Sequence, residues 1–135
     1  MDIQQAKILG YLIESNIQVN ISHNILINIK LLVLEKKPNR IILRKTMMRL
    51  FIYLLENANN TVIESEDILV NVWDKHGLSS SSQRLWQVMR DLKKKLVTIG
   101  ISEGFITRVE KGNIMGFSIN PHQVTPIYYF DTKNL

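Results

Sequence analysis

The hydrophobic pattern of this chain changes period twice, and no other feature narrows the available folds as much. Between Tyr11 and Leu34, runs of Ile, Val and Leu are interrupted by Asn16, Asn20, Asn24 and Asn28. Short β-prone runs bounded by Asn and Ser read as strands joined by tight turns. The pattern predicts strands at 11–14, 17–20, 25–29 and 31–34. Lys36, Lys37, Pro38 and Asn39 then make a turn, because proline fixes φ, and 40–43 returns as a strand.

At Met47 the period lengthens. Met47, Leu50, Phe51, Leu54 and Leu55 fall at i, i+3, i+4, i+7 and i+8, the apolar stripe of an amphipathic helix that ends at 57–60. A second helix carries Ile68, Leu69, Val72 and Trp73, with Glu64, Glu66 and Asp67 in its first turn and a stop at His76 and Gly77. Ser80 with Gln83 matches a capping box that opens a third helix, predicted to run to Val97 or Thr98. The short period returns in 105–109 and 115–119. Residues 110–114, with Gly112 and Asn113, form the long tip of a predicted hairpin. These elements predict an α+β chain: an N-terminal antiparallel sheet, three helices and a C-terminal β-hairpin. No internal repeat or low-complexity segment interrupts the order.

A chain of 135 residues with 45% hydrophobic and 21% charged residues suits one compact domain and is too short for two with a linker. With no cysteine, disulfide frameworks, thiolate zinc sites and cysteine nucleophiles are excluded. The longest apolar runs, such as 50–55, are six residues, against the roughly 18 needed to span a bilayer. No membrane contact is expected from this segment. Asp2, Lys7 and Glu14 are unlike a secretory leader, so the expected compartment is the cytoplasm.

The charge is unevenly placed. The net charge is +5, and residues 80–96 alone hold Arg84, Arg90, Lys93, Lys94 and Lys95 against Asp91. A basic excess of this kind favours a polyanionic partner. On the third helix Leu85, Met89, Leu92 and Leu96, with Val88 beside them, define the core side. Gln83, Gln87, Arg90 and Lys94 fall on the opposite side, flanked by Trp86 and Asp91. Arginine bonds bidentately to guanine, glutamine to adenine, and lysines near the helix end neutralise phosphates. The plainer alternative is a solvated polar face. Trp73 is expected in the core, whereas Trp86 suits packing at a sheet edge, stacking on a sugar or a partner interface.

Enzyme signatures are missing. His23, His76 and His122 have no paired-ligand spacing, and there is no phosphate-binding glycine loop or nucleophile elbow. Glu64, Glu66 and Asp67 read as partners of a helix dipole, and the serine run 79–82 as a cap. No catalytic residue, metal or cofactor is expected.

The helix Arg49-Leu50-Phe51-Ile52-Tyr53-Leu54-Leu55-Glu56-Asn57, preceded by Leu43, begins a longer pattern. It continues through Val62-Ile63, Ile68-Leu69, Val72-Trp73 and Leu85, then Met89-Arg90-Asp91-Leu92-Lys93-Lys94-Lys95-Leu96, Ile106 to Val109 and Gly116-Phe117. Over residues 11–120 this resembles the winged helix-turn-helix domain of the OmpR/PhoB-type response regulators, and more closely its ToxR/CadC branch. The Val-Trp pair and the lysine-rich helix end are its strongest parts.

The resemblance implies a sequence-specific, DNA-binding transcription regulator, and specifically an activator. Its third helix would enter the major groove while the hairpin wing touches the backbone or minor groove beside it. By position, Gln83, Arg84, Trp86, Gln87, Arg90, Asp91, Lys93 and Lys94 take the DNA-contacting places, with Arg108 and Lys111 in the wing; Val88 offers only a methyl or core contact. The loop Asp74, Lys75, His76 and Gly77, extending to Ser79, corresponds to a segment that meets RNA polymerase in relatives. The partners implied are double-stranded DNA, RNA polymerase, and a second copy or a partner regulator.

Three departures stand out. Arg108 replaces a small hydroxyl residue, Glu110 lies in a wing about three residues longer, and Asp91 takes a place that is often basic. Asp91 would face phosphates unless it bonds cytosine or pairs with Gln87 or Lys95. These 135 residues leave no room for the phosphoacceptor receiver of the response regulators, so dimerisation driven by phosphorylation is not expected within this segment. Residues 1–10 read as an extension, and 121–135 as a tail or the start of a linker. In that tail Ile127, Tyr128, Tyr129 and Phe130 follow Pro126 as a covering strand or a partner-binding segment. The competing reading is a winged helix that binds another protein. DNA binding would be favoured if the Gln83, Gln87, Arg90, Lys94 face lay exposed with Arg108 and Lys111 on the same surface, and protein binding if the sheet or the tail covered that face.

Overall fold

The computed structural model describes residues 6–30, 39–59 and 61–130. The strand expected at 31–34 and the turn through Lys36, Lys37 and Pro38 lie outside the described residues. Strands β1 (Ala6–Ile13), β2 (Ile17–Asn20), β3 (Ile25–Asn28) and β4 (Arg40–Ile42) lead into helix α1 (Lys45–Glu56). The short strand β5 (Ile63–Glu64) precedes α2, residues 65–76, and then come α3 (Ser82–Ile99), β6 (Ile106–Lys111), β7 (Ile114–Ile119) and β8 (Val124–Phe130). This is the expected α+β order, and the fold is that of a winged helix.

Two antiparallel sheets result. The larger runs β4-β3-β2-β1-β8, and the smaller runs β5-β7-β6. Alternation along the strands turns Tyr11, Ile13, Ile17, Val19 and Leu26 inward. They join Leu50, Phe51 and Leu54 of α1, Ile68, Val72 and Trp73 of α2, and Leu85, Met89, Leu92 and Leu96 of α3 in one core. Phe51 and Phe105 meet edge to face at 6.5 Å, linking α1 to the approach to β6. Asn28 is the one buried polar side chain among the described residues, and its Nδ2 donates to the Ile99 carbonyl at 2.7 Å. That bond ties β3 to the end of α3.

Four boundaries differ from expectation. Strand β1 begins at Ala6, and the expected tail is the fifth strand of the sheet, paired from Ala6↔Phe130 to Ile13↔Val124. Residues 6–10 and 124–130 thus pair with each other in the larger sheet, and 127–130 form a strand, one of the two expectations for that segment. Pro126 does not prevent this, because β8 is the edge strand, with no ladder partner on its outer side among the described residues. Secondly, Ser81 rather than Ser80 caps α3: its backbone is extended (φ −154°, ψ 152°) and its Oγ accepts from the Arg84 amide at 3.1 Å. The capping-box partnership with Gln83 does not form.

Thirdly, the wing tip is short. Lys111 pairs with Ile114, which leaves Gly112 and Asn113 as a two-residue turn with Gly112 at φ 63°. Lastly, α2 is not uniform: a regular turn at Ser65–Ile68 gives way to a π-helical turn at Leu69–Trp73 and a 3₁₀ turn at Asp74–His76.

Gly116 allows the two sheet elements to meet. A Cβ there would lie 2.2 Å from the Ile63 carbonyl oxygen, so only glycine permits the Glu64↔Gly116 pairing that docks β5 on the wing.

Candidate nucleic-acid interface

Helix α3 is held at both ends. Beyond the Ser81 cap, its C-terminus closes at Gly100 (φ 106°), with Ile101 N–H donating to Leu96 O at 2.9 Å and Gly100 N–H to Val97 O at 3.0 Å. This is a Schellman arrangement, and its apolar contact is between Leu96 and Ile101, each 2% exposed. The helix therefore presents its outer side from a fixed position.

Gln83, Arg84, Gln87, Arg90, Asp91 and Lys94 are exposed. Lys93 is half-buried, as is Val88. Gln83, Trp86, Gln87, Met89, Arg90, Lys93 and Lys94 line one open groove of about 530 Å³. Among the described residues, none of the larger sheet, β8 included, contributes to its lining. Asp91 falls to the side, where it lines a smaller groove of about 260 Å³ with Arg44, Met47, Lys94 and Lys95. Among the described residues it makes neither of its two candidate intramolecular pairings, with Gln87 or with Lys95.

Trp86 joins helix to wing. Its ring meets Phe117 of β7 edge to face at 6.2 Å, and the Arg108 guanidinium of β6 lies 3.9 Å from its centroid. Arg108 and Phe117 are cross-strand partners on one side of the hairpin. Lys93 Nζ stands 5.7 Å from the Phe117 ring. Burial, with the Arg108 charge nearby, lowers the Lys93 ammonium from the ordinary lysine value. Arg108 also donates to the Glu110 carboxylate, two residues along the same strand. Lys111 is exposed and, by alternation, on the other side of the hairpin from Arg108, next to the tip where Ile114 and Met115 are exposed.

The expected partner loop is well defined. Asp74, Lys75 and His76 form the exposed 3₁₀ turn, and Gly77 follows at φ 70°. Lys75 Nζ donates to Asn71 Oδ1 at 2.9 Å, while Asn71 Nδ2 donates to the Asp67 carbonyl. His76 lines a separate groove with Lys45, Arg49, Tyr53 and Asn71.

Chemically, the α3 face combines amide and guanidinium donors with cations and no carboxylate on its groove-lining residues. That set suits hydrogen bonding to base edges and ion pairing to phosphates. Sequence reasoning overlooked Phe117 as the platform for Trp86 and Lys93, Glu110 as the partner of Arg108, and Arg44 beside Asp91. A signal existed only for Glu110, as an acid two residues from a strand arginine.

No protein-family model matches the sequence, and no curated protein matches it either. Among solved structures, the fold is similar to the DNA-binding domain of E. coli CadC, with a TM-score of 0.67 over 87% of this chain and 96% of that one, at 16% identity. The chain thus shares the winged-helix fold of a domain that binds DNA.

Proposed function

We propose that this chain is the duplex-DNA-binding domain of a transcription regulator, with α3 in the major groove and the β6–β7 wing on the neighbouring backbone. The observation that carries the reading is a shared surface. Gln83, Gln87, Arg90 and Lys94 stand exposed along α3, and Arg108 of the wing stacks on Trp86, itself a lining residue of that groove. Arg90 and Gln87 read bases. Lys93, Lys94, Arg108 and Lys111 contact phosphates, and Gln83, Arg84, Trp86 and Asp91 form the margin of the interface. The fold shared with the CadC domain supports the same reading.

In this proposal the protein acts in the cytoplasm as an activator at tandem or inverted half-sites. Its Asp74, Lys75, His76 and Gly77 turn faces RNA polymerase or a partner regulator. The DNA-binding unit is one domain, with β1 and β8 part of its sheet.

Separate variants test the assignment. Arg90→Ala should cost about 1–3 kcal/mol and relax sequence preference, whereas Lys94→Ala should weaken all duplexes alike and lower the salt slope by about one. Selection from a random duplex library, run with each variant, measures both. An Arg90→Ala protein with unchanged affinity and preference would contradict the docking and favour a protein-binding winged helix.

A further inference from the structure

We propose that Glu110 is a charge gate on the wing: it occupies the Arg108 guanidinium in the free protein and must yield it to a DNA phosphate on binding. The inference rests on the DNA-binding reading above and assigns to that site a residue that limits its affinity. Arg108 is held from two directions. The Trp86 ring lies under its guanidinium at 3.9 Å, and the Glu110 carboxylate accepts from its Nη2. Trp86 fixes where the guanidinium sits without using its hydrogen-bonding edge, since cation–π attraction engages the face of the fork. Glu110 does use that edge, which is the part a phosphate needs.

Both partners are solvent-facing, with side chains 43% and 55% exposed. An ion pair this exposed contributes little and is screened by salt. It is therefore weak enough for a phosphate to displace, yet it leaves the wing with little net positive charge at Arg108 until displacement occurs. Lys93, the other cation on this stack, sits over Phe117 and forms no ion pair among the described residues, so the gate acts on Arg108 alone.

The proposal separates the roles of the two residues. Arg108 supplies a phosphate contact, and Glu110 sets how much of that contact is realised. Because phosphate contacts carry no base information, opening the gate raises affinity equally for all sequences.

The test is a four-way comparison of wild type, Glu110→Gln, Arg108→Ala and the double variant, on AT-rich and mixed-sequence duplexes over a range of salt. Glu110→Gln keeps shape and solubility while removing the charge, and a thermal melt of each variant confirms folding. Expected is about three- to tenfold tighter binding by Glu110→Gln at low salt, a salt slope steeper by about one, and the same gain on both duplexes. The gain should vanish when Arg108→Ala is added. An unchanged or weaker Glu110→Gln protein overturns the proposal, as does a gain that survives Arg108→Ala or that depends on sequence. If wild type binds no duplex even at low salt, the DNA-binding reading falls and the gate with it. Wild-type binding without a Glu110→Gln gain removes only the gate.

Discussion

Truncating Trp86 should loosen the wing from the recognition helix, and the size of the effect follows from its packing. Trp86 is 36% exposed, so nearly two-thirds of its surface is out of water. Cutting the side chain back to Cβ forfeits the burial of about 120 Å² of apolar surface on folding, or about 3 kcal/mol at ~25 cal/mol per Å². The edge-to-face contact with Phe117 adds about 0.5–1.5 kcal/mol, and the Arg108 stack about 0.5–1 kcal/mol. Two effects reduce the total: the denatured chain already buries part of this area, and a site at the surface collapses more readily than one in the core. The net loss for Trp86→Ala is about 2–3 kcal/mol, equivalent to about 10 °C in melting temperature for a domain of this size. Trp86→Phe keeps an aromatic edge on Phe117 and should lose only about 1 kcal/mol. Urea unfolding followed by far-ultraviolet circular dichroism measures both. A Trp86→Ala loss below about 1 kcal/mol, or a Trp86→Phe loss as large as the alanine loss, would refute the idea that this ring couples α3 to the wing.

Other expectations come from the fold. Gly116→Ala should destabilise by about 3 kcal/mol or more, because its Cβ would overlap the Ile63 carbonyl at 2.2 Å and separate β5 from β7; an unchanged melting temperature would mean that the β5 pairing contributes little. Burial, then the charges of Glu56 and Tyr128, push the Tyr11 hydroxyl up to about 12. Since the folded value lies above the unfolded value near 10, this stability is present below pH 10 and is lost as pH rises towards 12. Alkaline unfolding curves should show that loss in wild type, and Tyr11→Phe should flatten it.

Much of the fold was legible in the sequence, for identifiable reasons. The 3.6-residue stripes through Met47 to Leu55 and Leu85 to Leu96 are long enough to specify amphipathic helices, and both lie in the core as expected. The boundaries that moved are those where local rules conflict. Four consecutive serines offer several caps, and only φ and ψ at Ser81 decide among them. Gly112 and Asn113 are suited to a two-residue turn, but Glu110 and Lys111 read as loop because exposed strand residues are polar. For 127–130 a strand is one of two readings the sequence allows, because a proline at an edge strand is compatible with pairing, whereas the start of β1 is hidden by the charge at Lys7 and by Gly10.

The wing–helix junction was the least legible part. Trp86 lies a quarter turn from the core stripe, and its contact with Phe117 and Arg108 depends on the register of β6 against β7 and on how α3 is rotated. Neither quantity is encoded in local periodicity. The basic, glutamine-bearing side of α3, by contrast, follows from helix geometry alone, and its residues are exposed as that geometry requires.

The most direct test of the central claim is the salt dependence of duplex binding, wild type beside an Arg90→Ala, Lys94→Ala double variant. On AT-rich and mixed-sequence DNA, wild-type affinity should fall linearly in log–log form with a slope set by its phosphate contacts, about −0.9 for each. The double variant should lose most of the affinity and about one unit of slope. Equal binding by both proteins, or no wild-type binding at low salt, would contradict the claim that this face of α3 engages DNA.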